Sequence, residues 1–193
     1  MWSMMASSKI DLCSLALLKI GANSIASFGE GTAEAEVAGN LYPSVRDALI
    51  SAHPWNFALA QRTLTKLAVE PVADFINAFQ LPPDCLRVLS AGTEGRGRGL
   101  DYRISERHLH TNAEFVVLTY LYRPKENEFP PFFNMALIAR LAAEFCIPLT
   151  DSTSRWEGLR KQSEEEFRRA KRIDSHEDAV PQFDGFTLVE VRR

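Results

Sequence analysis

The chain has 193 residues, 46% of them apolar and 24% charged, with a net charge of −3. That length supports one sizeable core, and the composition excludes a disordered polyampholyte or a membrane protein. A mildly acidic balance gives no whole-molecule attraction to nucleic acid.

The first element is a helix. Ser8 and Asp11 have the spacing of a capping box, Ile10, Cys13, Leu17 and Ile20 form a stripe, and Gly21 supplies a left-handed stop. Its "SLALL" run is too short to span a bilayer and lies between Lys9 and Lys19, so neither a signal peptide nor a membrane contact is expected. Folding in a cytoplasm is the expectation. Thr32 can cap a second helix over 33–52, with Ala38, Leu41, Val45, Ala48 and Ala52 on its inner face and Pro43 kinking it. In "LISAHPWNFA", Pro54 ends that helix, and Trp55, Phe57 and Leu59 alternate as an extended crossing anchored to the core.

From about Pro71 to Pro130 the pattern is that of strands. Phe75, Asn77 and Phe79 alternate, "CLRVLSA" is a short apolar run, and "EFVVLTYLY" is apolar on both faces, so both faces are expected to be covered. "AGTEGRGRGLD" between them is a glycine-rich loop, read as a mobile hairpin tip. Pro130-Pro131 opens a third helix, apolar nearly all round apart from Arg140 and Glu144 and therefore central, which Pro148 should stop. A fourth helix starts at Asp151 or Ser152 and directs Trp156, Leu159, Ser163, Phe167 and Ala170 inward. The end is different in kind: "PQFDGFTLVEVRR" places several apolar side chains after an acidic stretch.

These elements predict a mainly α (α+β) fold, a four-helix bundle with a small inserted antiparallel β subdomain and an extended C-terminal tail. The expected divisions are 1–60 and 130–173 for the bundle, 61–129 for the β insertion and 174–193 for the tail.

No constellation points to catalysis. Two histidines two apart, His108 and His110, would share a strand face, but no third metal ligand is signalled and hairpin surface is the simpler reading. Cys13, Cys85 and Cys146 lie far apart in apolar runs, as buried thiols do, and an odd count suits a reducing compartment. Arg96 and Arg98 in "GRGRG" could approach phosphates, yet the loop lacks the strand–turn–helix setting of a phosphate-binding loop. The tail is otherwise. Burying Phe or Leu is worth ~1.5–3 kcal/mol each, so Phe183, Phe186, Leu188 and Val189 either fold back or are held for a partner. "FTLVEV" suits addition to a sheet edge, and many copies on a ring would bind firmly where one binds weakly.

Four phrases in order, "IDLCSLALLKIGA", "LYPSVRDALISAHPWNFALAQRTL", "FQLPPDCLRVLSA" and "ALIARLAAEFCIPLTDS" followed by an arginine- and glutamate-rich helix, resemble the tail tubular protein A family of short-tailed phages. The likeness spans roughly 8–172. It implies a head-to-tail adaptor in the virion: a non-enzymatic ring, usually dodecameric, between portal protein and tail nozzle, with double-stranded genomic DNA passing through and no cofactor or metal. The family's C-terminal segments reach the portal, a role that would fall here on Phe183, Phe186, Leu188 and Val189. The glycine-rich loop lies outside the matched phrases; only if it faces a partner rather than solvent would Arg96 and Arg98 contact the lumen or the nozzle. The competing readings are a tail-associated cell-wall hydrolase and an independent nucleic-acid-binding protein.

Overall fold

A computed structural model of the protein describes residues 8–93 and 95–177. Helix α1 spans Lys9–Lys19, and its capping box closes as the spacing predicts: the Asp11 amide donates to Ser8 Oγ at 3.1 Å and the Ser8 amide to Asp11 Oδ2 at 2.9 Å. Gly21 follows at φ +76°. Helix α2 spans Ala33–Ser51 behind the Thr32 cap. Pro43, expected to kink it, lies on the exposed face of one continuous helix.

Helix α3 spans Pro131–Thr150 and α4 spans Thr153–Ser175 behind the Ser152 cap. Pro148 does not stop α3. The helix runs two residues further and closes on Asp151 at φ +48°, whose amide donates to the Ile147 carbonyl at 3.1 Å. A proline in the last turn removes only one hydrogen bond near an end where carbonyls already lack partners. Among the described residues α3 alone has the length and hydropathy of a membrane span, yet it is the central helix, packed against α1, α2 and α4.

Between α2 and α3 the chain builds six strands: β1 Leu59–Thr63, β2 Asn77–Gln80, β3 Cys85–Gly92, β4 Arg103–Ser105, β5 His108–Thr111 and β6 Val117–Tyr122. They form two antiparallel sheets, ordered β1-β6-β3 and β2-β5-β4. The expectation of a mainly α four-helix bundle with one small β insertion is therefore corrected: the fold is mixed α+β. The physical reason is a second core. Leu64, Phe79, Leu81, Leu109, Leu118 and Tyr120 are buried between the sheets, apart from the helical core.

β6 joins the two cores. Its side chains alternate across the sheet, so Leu118 and Tyr120 enter the sheet-to-sheet core while Leu121 enters the helical one. Both faces of this strand are covered, as its sequence predicts. The glycine-rich segment is not a hairpin tip. It crosses from β3 in one sheet to β4 in the other and lies back on the first, where Ser90 Oγ and Thr119 Oγ1 both donate to the Gly97 carbonyl (2.6 and 3.2 Å). The tight hairpin is instead β4–β5, whose turn residues Glu106 and Arg107 both take positive φ, matching the twist of the strands.

Candidate functional site

The surface features that stand out are two concavities and a hinge. The apolar one begins with a rotation of α2. Its core face is Ala35, Ala38, Tyr42, Leu49 and Ile50, not the predicted Ala38–Leu41–Val45–Ala48–Ala52 stripe. Ala48 and Ala52 are exposed, and Leu41 and Val45 only half-buried. Their stripe instead walls a groove of about 470 Å³, opposite Ser163, Glu164 and Phe167 of α4. Arg140 and Glu144, the charged pair of α3 foreseen in the sequence, meet at 2.9 Å along it.

The groove ends at the hinge "HPWNFA". Trp55 is fully buried, its indole N–H donating to the Leu49 carbonyl at 3.1 Å and its ring edge-on to Phe133 (5.2 Å) and Phe167 (5.8 Å). Phe57 meets the same cluster through Phe129 and Phe133, although residues 56–58 form a single 3₁₀ turn rather than an extended crossing. The last turn of α4 fastens here. Buried Asp174 accepts from the Asn56 amide at 3.1 Å and lies 3.4 Å from His53 Nε2, while Asn56 Nδ2 donates to the Asp174 carbonyl at 2.9 Å. Burial pulls the His53 pKa below its ordinary value, and the opposing Asp174 carboxylate does not overcome it.

The second concavity lies under the glycine-rich segment and is polar. Gln61, Ser90, Thr119, Arg96 and Arg98 line it, with both arginines exposed. Gln61 Nε2 donates to Thr119 Oγ1 at 3.2 Å, so its floor is already hydrogen-bonded internally. Gly92 makes the fold-back feasible: a Cβ there would land on the Arg96 carbonyl. The structure thus separates Arg96 and Arg98, on the β part, from the helical groove.

Two further groups are shifted by their surroundings. Burial pushes the Cys13 thiol up to about 12, away from an activated thiolate. Burial also acts to raise Asp47, but hydrogen bonds from Arg123 (2.6 and 3.0 Å) and Arg46 (2.9 Å) outweigh it and hold the carboxyl below its ordinary range, whereas a general acid needs the reverse. His108 and His110 do share a face of β5, ring centroids 6.4 Å apart, and no metal-binding cluster occurs among the described residues. Phe183, Phe186, Leu188 and Val189 lie outside the described residues.

No protein-family model matches this chain, and no curated protein matches it.

Proposed function

We propose that the protein is a structural head-to-tail adaptor of the tail tubular protein A type, assembled in the host cytoplasm into a ring within the virion connector. In this reading it is not an enzyme. It grips the portal protein on one side and the tail nozzle on the other, and genomic double-stranded DNA slides through without sequence-specific contact. The tail with Phe183, Phe186, Leu188 and Val189 serves the portal, and Arg96 and Arg98 line the lumen or meet the nozzle.

The observation that carries it is the placement of exposed apolar surface on both parts of the fold. On the helical part, Leu18 of α1 is more than half exposed, and Leu15 of α1 and Met135 of α3 are about half exposed. On the β part, Val69, Val72, Ile76 and Phe115 are all more than half exposed, in the β1–β2 connection and just ahead of β6. Each such side chain gains ~1.5–3 kcal/mol when covered, so apolar surface on both parts of the fold suits a subunit held between different neighbours. The four phrases of the resemblance support the same reading, since they fall on α1, the α2–β1 hinge, the β2–β3 segment and the α3–α4 pair.

The test is to mix the purified protein with portal rings and follow co-sedimentation and negative-stain images. Decorated rings with a closed symmetric layer are expected. Free portal at micromolar protein, or clearing of a peptidoglycan suspension by the protein alone, would overturn the reading.

A further inference from the structure

We infer that the α2–α4 groove is a docking site for the chain's own C-terminal segment, Phe186–Val191, occupied in the free protein. The groove is open and mostly apolar: Ala48 and Ala52 of α2 face Ser163 and Phe167 of α4 across it, Val45 and Leu41 extend it, and the Arg140–Glu144 pair and Glu164 border it. The short side chains of Ala48, Ala52 and Ser163 leave room for another chain to lie between the helices.

Where the described chain stops identifies the occupant. Asp174 contacts His53, and Ala52 is the residue before His53, so the C-terminal end of α4 lies at the groove's Ala52 end. Sixteen residues follow, 178–193. From Ala52 to Leu41 the groove follows eleven helical residues, about 16 Å at 1.5 Å per residue. Six extended residues cover about 20 Å at 3.3 Å each. The eight residues 178–185 reach about 26 Å by the same measure, enough to turn back from α4 and enter. Phe186, Leu188, Val189 and Val191 are the apolar side chains that such a track requires. A second apolar hollow borders α4 on its other side, between Met135, Phe132 and Ile173, and serves as the internal comparison.

Docking within one chain keeps an apolar segment out of solvent at no cost in translational entropy. The proposed function adds one step to this: the portal draws the segment out of the groove. Occupancy in the isolated protein does not depend on that step.

Two double variants of the full chain, Ala48→Cys/Leu188→Cys and Met135→Cys/Leu188→Cys, test the assignment by mild oxidation at high dilution and peptide mapping by mass spectrometry. Ala48 is exposed and Met135 about half-exposed, so both replacements are compatible with folding. In the Ala48 variant an intramolecular bridge between the two introduced thiols is expected to form at least tenfold faster than in the Met135 variant. Chymotrypsin should also cut after Phe186 about tenfold faster in Ala48→Glu, with unchanged circular dichroism. Equal bridging at the two positions, a preference for position 135, or bridges only between two molecules would each overturn the inference. None of these readouts involves portal, so their failure leaves the adaptor reading standing, and failure to bind portal leaves the groove assignment standing.

Discussion

Trp55 and His53, two residues apart, show opposite uses of burial. The Trp55 ring is enclosed by Phe133, Phe167 and Phe57, with its one polar atom bonded to Leu49. Trp55→Ala should therefore cost ~3–5 kcal/mol, as truncations of buried aromatics do, and lower the thermal midpoint accordingly; an unchanged melt would remove Trp55 from the core. His53 carries a charge-dependent cost instead. Its folded pKa lies below the unfolded value near 6.5, so between the two the unfolded chain binds more protons and stability rises with pH. The contribution is full above about pH 6.5 and declines as pH falls toward the folded pKa. Urea titrations from pH 7.5 to 5 should show this decline, and His53→Gln should flatten it. Asp174→Asn removes the carboxylate that holds the histidine up, so the His53 resonance should titrate at still lower pH. An upward move would mean that Asp174 is not its main electrostatic partner.

At the scale of elements, legibility followed the strength of local signals. The Ser8–Asp11 box, the Thr32 and Ser152 caps and the apolar period of α3 act within one turn, and each element begins where those residues place it. The face of α2 was harder. Ala48 and Ala52 are apolar enough to be core residues, and only the packing of Tyr42 and Leu49 on the neighbouring helices turns them outward. The sheets were harder still. β1, "LAQRT", has no strand pattern of its own and exists because β6 pairs with it from Leu59–Leu121 to Thr63–Val117. The glycine-rich segment gave a turn signal but not its destination, because docking on sheet β1-β6-β3 depends on Ser90 and Thr119, remote in sequence from each other. Gly92 is the position where that docking is most exposed to a test. Gly92→Ala should detach residues 95–99 from the sheet, seen as faster amide exchange at Leu100, whose N–H donates to the Ala91 carbonyl. Unchanged exchange would show that the segment is not held by this close approach.

The described residues form two cores that share strands β6 and β3, and that arrangement governs how they should unfold. Leu118 and Tyr120 hold the sheet-to-sheet core, Leu121 holds the helical one, and a strand cannot be withdrawn from one core while remaining ordered in the other. Arg123, just past β6, strengthens the link through its two-bond contact with Asp47 of α2. This pair is partly exposed, so its share is about 1 kcal/mol or less. The packing of β6 contributes more. Under the proposed adaptor reading, a rigid junction would keep a fixed spacing between the two neighbours. Helical circular dichroism and the amide-exchange protection of the sheet strands should accordingly be lost together in one transition, despite the separate cores. Leu121→Ala, at a fully buried position, should cost ~2–5 kcal/mol and shift both signals by the same amount. Were the exchange protection of the sheet strands to stay in place while the helical signal moved, the two parts would be independent domains, and the rigidity on which the adaptor reading relies would be lost.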